Sequence, residues 1–304
     1  MTHFFQPKFF AYDRVSFGKI HMDNNHLKTD KVFGVVAIAT FLVTCSITVA
    51  MLLASRNNQS ANTTQALPIP TNQPQPSVKP PSPPAAKQDN LTFSVPVAYQ
   101  GTTVYKVQLN HNDKAIALTF DDGPWPNTTS EILDILKQHQ IKATFFWVGQ
   151  ALQAHPDIAK RVVAEGHAIG NHTWHHWYRR MDAATAKSEI ERTSDLIYRT
   201  TGVKTDLFRP PGGVLNNGLA TYAKSQKNAV VMWSLTSADT DPRAEPQAFV
   251  NNVLKGAKPG YIVLMHDGGG DRRRTVQALP EIISGLKEQG YRFVTVSELL
   301  QMKP

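Results

Sequence analysis

The chain has 304 residues, 41% of them hydrophobic, enough to build one large or two small globular domains and too apolar for a wholly disordered or fibrous chain. Its formal charge of +8 suits an anionic surface, but no Lys/Arg run exceeds Arg272 to Arg274 and aromatic and basic residues are not interleaved, which argues against a nucleic-acid partner. Cys45 is the single cysteine, so an intrachain disulfide is excluded.

Residues 1–31 are polar and of mixed charge and are expected to form a cytoplasmic segment without a fold of its own. From Val32 to Ala54 the chain carries no charge, a run long enough to span a bilayer as a helix. A cleavable signal is shorter and ends at small residues, whereas this run stays apolar through Met51, Leu52 and Leu53, so an uncleaved transmembrane anchor is expected over 32–54. Lys8, Arg14, Lys19, Lys28 and Lys31 precede the run and only Arg56 follows it closely, which predicts a cytoplasmic N-terminus and the bulk of the chain outside the cell membrane, crossed once. Residues 55–90 then turn polar and proline-rich, with Pro80, Pro81, Pro83 and Pro84 nearly consecutive, and read as an extended, disordered tether. Residues 91–112 suggest one or two short lead-in strands, and 113–304 the main domain.

From Lys114 onward apolar β-type runs alternate with helical patterns. The runs are KAIALTF, IKATFFWVG, HAIGNH, DLFRP, AVVMWSL, YIVLMHD and YRFVTV, separated by segments such as TTSEILDILKQHQ and VQALPEIISGLKEQG. Thr128 with Glu131 reads as a capping box, and Gly166, Gly202 and Gly290 follow the last turns of helices. Seven strands alternating with helices predict an α/β fold with a parallel sheet closed or nearly closed into a barrel, whose chemistry belongs at the C-terminal strand ends.

Five such ends carry chemistry-bearing residues. TFDDGP, residues 119–124, finishes the first run with two adjacent carboxylates, whose alternating directions divide two tasks between Asp121 and Asp122; taken alone, DDG more often just ends a strand. His172 and His176 in HTWHH lie four apart, which on a helical turn puts both imidazoles on one face. With Asp122 they make a set of two nitrogens and one oxygen that suits zinc with a position left open. A histidine pair in such an aromatic loop is, by itself, more often structural, and His167 and His175 have the wrong spacing to join it. His266 ends YIVLMHD, either as a group delivered into a cleft or as a cap held by Asp267. Arg209 and Asp239 are charges beside apolar runs that call for partners: Arg209 to keep Asp121 ionised and Asp239 to orient His266, or each in a plain surface ion pair.

TFDDGP, HTWHH, RPPGG and LMHD, in this order and spacing over about residues 110–301, resemble the motif series of the polysaccharide deacetylase family, the NodB-like carbohydrate esterase family 4. The resemblance implies a distorted (β/α)7 barrel and metal-dependent removal of acetyl groups from N-acetylated sugars. By the same resemblance Asp121 is the general base, His266 the general acid, Arg209 the tether of the base and Asp239 the residue tuning His266. Asp122, His172 and His176 hold the metal, zinc first with Co2+, Ni2+ or Mn2+ as alternatives. Pro211 and Gly212 stand at the substrate and oxyanion position, and Leu264 lines the acetyl pocket. The chain departs from the family pattern at TSADT, residues 236–240, where Thr236 and Thr240 replace an aspartate and a tryptophan, and in RPPGG, where glycine stands in a position often aromatic.

An anchored domain on a stalk outside the membrane is expected to work on N-acetylated cell-wall glycan, peptidoglycan before chitin oligosaccharide. The replacements at Thr236 and Thr240 motivate a rival reading, a wall-binding pseudoenzyme, and the chemistry alone also fits a metal-dependent amidohydrolase of small cyclic amides.

Overall fold

The structure, a computed structural model, describes residues 92–110 and 112–302. The N-terminal segment, the membrane span read at 32–54 and the proline-rich tether lie outside the described residues. Among the described residues no helix is long and apolar enough to cross a membrane.

In chain order the elements are β1 (Thr92–Phe93), β2 (Thr103–Val104), β3 (Ala115–Asp121), α1 (Thr128–Gln138), β4 (Thr144–Trp147), α2 (Gly149–Ala154), α3 (Pro156–Ala164), β5 (Ala168–Asn171), α4 (Ala183–Thr201), β6 (Lys204–Thr205), β7 (Leu207–Phe208), α5 (Leu219–Ser225), β8 (Ala229–Val231), β9 (Leu235–Thr236), α6 (Pro246–Gly256), β10 (Ile262–His266), α7 (Arg273–Glu288), β11 (Arg292–Phe293) and α8 (Val296–Gln301). The main sheet runs β2-β8-β7-β5-β4-β3-β10-β9, with β11 on the start of β3, and every pairing in it is parallel. β1 pairs separately with β6. The two terminal strands of the ladder, β2 and β9, are not paired with each other, so the sheet forms a parallel half-barrel and not a hydrogen-bonded ring.

The pleat of β3 shows how sequence sorts the layers. Ile116, Leu118 and Phe120 point one way, into a cluster with Leu136 of α1 and Ile282 and Leu286 of α7. Ala115 and Ala117 point the other way, with Phe146, Leu207, Val231 and Ile262 from neighbouring strands. All seven residues of β3 are buried, as a central parallel strand covered on both faces requires. Thr119 and Asp121 continue the small-residue face toward the C-terminal end, where polar groups replace apolar ones.

One local expectation needs correction. Thr128 and Glu131 form no capping box: α1 is preceded by Asn127 at φ 68° with no side-chain cap. Thr128 Oγ1 donates instead to the carbonyl of Asp267 at 2.8 Å, because the start of α1 is packed beneath the loop after β10. A capping box does form between Thr295 and Glu298, opening α8. The glycine stops do hold their places, with Gly166, Gly202 and Gly290 all in the left-handed region that ends a helix without penalty to Cβ.

Candidate active site

Parallel register brings the ends of distant strands side by side. Asp121 pairs across the sheet with His266 and with Phe146, Trp147 with Asn171, and Asn171 with Phe208. Residues immediately after these positions therefore gather above one edge of the sheet, where a cleft of 780 Å³ is lined by Asp121, Asp122, His172, His176, Leu264 and His266, among others.

Arg209, the residue after β7, is wholly buried and spends its donors on fixed partners. Nη1 donates to Asp121 Oδ1 at 2.7 Å and to Thr119 Oγ1 at 2.9 Å, Nε to the Val231 carbonyl at 3.0 Å, and Nη2 to the Met232 carbonyl at 3.2 Å. A buried guanidinium is tolerable only when paired and hydrogen-bonded in this way, and the same bonds fix one oxygen of Asp121. The other, Oδ2, lies 3.7 Å from His172 Nε2.

His172 and His176 approach each other without a helix, contrary to the helical turn that their spacing suggests. The HTWHH segment is a loop in which Thr173 and His176 both have positive φ, 69° and 61°, and this backbone brings the two rings to 4.9 Å between centroids. Several partners hold the loop. Asn171 Oδ1 accepts the Thr173 N–H, Thr173 Oγ1 accepts the His176 N–H, and the N-terminus of α2 donates from Gly149 and Gln150 to the carbonyls of Thr173 and Trp174. Glu189 of α4, which sequence reading passed over, accepts the Trp174 and His175 N–H groups on Oε2 and His175 Nδ1 on Oε1 at 2.5 Å.

The chemistry of this cluster is that of a cation site. His172 Nδ1 lies 2.7 Å from the Arg209 carbonyl, which can only accept, so Nδ1 is the donor to it and Nε2 is the nitrogen left facing Asp122. Asp122 Oδ1 lies 3.5 Å from His172 Nε2 and 3.0 Å from His176 Nε2, is buried, and has no hydrogen-bond partner. With both rings neutral, the three atoms turn electron pairs toward one another, a donor set that fits a divalent cation. One ligand atom from each of the three residues falls within 4.8 Å of the others.

His266 faces this cluster from the end of β10. Its Nδ1 lies 2.9 Å from Asp239 Oδ1, while its backbone N–H and Thr275 Oγ1 both donate to Asp239 Oδ2. Burial alone would lower the His266 pKa. The Asp239 carboxylate, with Asp121 and Asp122 beyond it, raises it instead. Nε2 is thereby the nitrogen left to meet a bound molecule.

Pro211 is buried at the start of a tight turn, Pro211–Gly213, and does not line the cleft, whereas Gly212, at φ 59°, does. Gly213 and Val214 donate within the turn to the carbonyls of Pro210 and Pro211, a set in which the Gly212 N–H takes no part. Of the two departures in TSADT, Thr240 lines the cleft and Thr236 lies at the end of β9. Trp125, Tyr178, Trp233 and Arg272 also line it and were not anticipated. Two of them sat next to motifs: Trp125 directly follows DDGP, and Tyr178 lies two residues past HTWHH.

Comparison with known proteins agrees with this arrangement. Residues 108–231 match the sequence pattern of the family described as Polysaccharide deacetylase. A peptidoglycan-N-acetylglucosamine deacetylase of Bacillus cereus is 46% identical over 205 residues, 64% of this chain and 92% of that protein. The crystal structure of the Bc1960 peptidoglycan N-acetylglucosamine deacetylase superposes with a TM-score of 0.62 at 35% identity, over 68% of this chain and 96% of that one. BA3943 of Bacillus anthracis, described as a pseudoenzyme of carbohydrate esterase family 4, superposes with a TM-score of 0.59 at 30% identity, over 65% and 68% of the two chains. With a relative this similar matched over nearly its whole length, and the strand-end carboxylates and imidazoles gathered at one cleft, the chain belongs to the polysaccharide deacetylase family of hydrolases.

Proposed function

We propose that this protein removes N-acetyl groups from N-acetylglucosamine units of cell-wall polysaccharide, peptidoglycan first and chitin oligosaccharide second, with release of acetate. The observation that carries this reading is the buried, unpartnered Asp122 Oδ1 set against the Nε2 atoms of His172 and His176, with Asp121 and His266 lining the same cleft. The substrate class follows the printed activities of the Bacillus cereus protein and of Bc1960.

Asp122, His172 and His176 would hold a divalent cation, zinc before Co2+, Ni2+ or Mn2+, and when bound it supplies the Lewis acidity that polarises an amide carbonyl and acidifies water. Asp121, aimed by Arg209 through Oδ1, accepts a proton from the attacking water on Oδ2. Water oxygen adds to the acetyl carbon, and the Gly212 N–H donates to the carbonyl oxygen as negative charge builds on it. His266 Nε2 gives its proton to the sugar nitrogen as the carbon–nitrogen bond breaks, leaving acetate and a free amine. Leu264 supplies an apolar wall for the acetyl methyl.

In this reading residues 113–304 are the catalytic domain, a distorted (β/α)7 barrel, with 91–112 leading into it. Residues 32–54 anchor the chain in the cell membrane, and 55–90 form the stalk that lets an extracytoplasmic domain reach the wall. A second reading is favoured by the likeness to BA3943 and by Thr236 and Thr240: a wall-glycan-binding pseudoenzyme.

The test is acetate release from an N-acetylglucosamine tetramer by the zinc-loaded protein. Release is expected, with Asp121→Asn keeping its zinc but losing about a hundredfold or more in turnover, and His172→Ala losing both zinc and turnover. Binding of the tetramer without release would favour the pseudoenzyme. Full activity and equal zinc in both variants would refute the assignment of roles.

A further inference from the structure

We infer that Tyr178 is a specificity-determining wall of the cleft, the ring on which an N-acetylated hexosamine stacks as its acetamido group enters the site; this rests on the glycan reading above. The large hydrophobic side chains exposed among the described residues are Val97, Tyr105, Trp125, Tyr178 and Tyr198, and of these Trp125 and Tyr178 both line the cleft. Tyr178 is the more open of the pair, 57% exposed against 38% for Trp125. A ring kept for packing would be buried, and exposed aromatics beside polar groups mark binding surfaces.

Its position is held by what lies under it. The Tyr178 ring stands nearly perpendicular to that of His176, with centroids 5.2 Å apart and planes at 84°. It also covers Gly212 so closely that a Cβ built there would fall 2.5 Å from Tyr178 Cε1. A side chain at position 212 and the ring of Tyr178 therefore compete for one volume, and glycine at 212, already at positive φ, is what lets the ring lean over the turn.

The ring thus borders both His176 and the turn that presents the Gly212 N–H. A sugar whose carbonyl oxygen reaches that N–H brings its pyranose C–H face against the tyrosine, and an axial array of C–H groups on a π-face is a favourable contact. The Tyr178 hydroxyl has no protein partner among the described residues and is open to the sugar hydroxyls. The chemical class selected is a neutral pyranoside whose substituents are equatorial, leaving an axial C–H face free to stack.

The experiment is calorimetric titration of the zinc-loaded full chain with N-acetylglucosamine tetramer, in an Asp121→Asn background that keeps zinc but does not consume the ligand. It is run with positions 178 and 212 unchanged and for Tyr178→Ala, Tyr178→Phe, Gly212→Ala and the Tyr178→Ala/Gly212→Ala double variant, with KM and kcat read from the same variants carrying Asp121. Tyr178→Ala is expected to weaken Kd about fivefold to tenfold and to raise KM by the same factor with a much smaller change in kcat, whereas Tyr178→Phe, which keeps the ring, stays within about twofold. Gly212→Ala expels the ring and also strains the turn at its positive φ; the strain is common to both backgrounds, so Gly212→Ala is expected to weaken Kd more in the wild type than in Tyr178→Ala, and the cycle is non-additive by the part due to the ring. Zinc content measured on each variant confirms that the cluster is intact. Equal Kd for wild type and Tyr178→Ala, or an additive cycle, overturns the inference while leaving acetate release by the wild type standing. A wild type that neither binds nor deacetylates the tetramer overturns the glycan reading and this inference with it.

Discussion

Asp239 is buried beside His266 and meets it twice, at the ring through Oδ1 and at the backbone through Oδ2, so one carboxylate sets both where the imidazole points and which charge it prefers. The His266 pKa is raised because that carboxylate outweighs burial, which acts in the opposite sense. A general acid must hold its proton, so activity is expected to persist above the ordinary imidazole range and to fall as pH rises through the raised His266 value. In Asp239→Asn the largest of the charges opposing burial is gone, which lowers the His266 pKa and moves the basic limb of the kcat profile to lower pH. At about pH 8 the loss should reach about a hundredfold, with less at acid pH. A pH–rate profile whose basic limb is unmoved in Asp239→Asn would show that another group sets that limb. The Arg209 to Asp121 pair is different in kind: four directed bonds from a planar guanidinium cannot be reproduced by lysine, so geometry, and not charge alone, keeps the base in place.

Helix α4 and the HTWHH loop act together, because the helix supplies the acceptor that the loop's backbone lacks. Asp182 caps α4 by accepting the Thr185 N–H, Gly202 ends it, and between them Glu189 turns a buried carboxylate onto two loop amides and His175. Glu189→Ala leaves two N–H groups without partners and frees the backbone between the two candidate ligands. Zinc affinity, read by chelator competition, is expected to fall about tenfold or more, with Glu189→Gln intermediate because its carbonyl oxygen can still accept. Unchanged affinity in Glu189→Ala would mean that Asn171 and the α2 amides suffice. The same loop marks where sequence reading stopped. The strands were legible because apolar runs such as KAIALTF and YIVLMHD are buried on both faces, and their polar last residues pointed to the cleft edge. The way His172 and His176 meet was not, because left-handed Thr173 and His176 are set by contacts with Asn171, α2 and α4 that no local pattern announces. Short α2, α5 and α8 carry too few turns for a periodic signal, and Thr128 was misread because its hydroxyl partner, Asp267, lies far along the chain.

Since the candidate ligands and proton carriers come from β3, the loop after β5, and β10, the site exists only while the whole sheet is folded, and its acid limit is set partly by groups remote from the cleft. His167 precedes β5, at the opposite end of the strands. It is 1% exposed, lies edge-on to Phe145, and accepts the Ala143 N–H on Nδ1, while Nε2 has no partner. Burial, with Lys142 and Arg161 nearby, pushes its pKa down to about 4. The unfolded chain, with an ordinary imidazole value of about 6.5, binds a proton over the interval in which the native state refuses it. Stability from this residue is therefore complete above about pH 6.5, drains away as pH falls toward about 4, and is flat below that. Between pH 7 and pH 5 the loss amounts to about 2 kcal/mol. Glutamine at 167 keeps an acceptor for the Ala143 N–H but does not titrate. Urea unfolding of His167→Gln, followed by tryptophan fluorescence, should then show a drop between pH 7 and pH 5 smaller than that of the wild type by about this amount. Ligand histidines common to both proteins cancel in the comparison, so equal drops would place the acid sensitivity elsewhere than at His167.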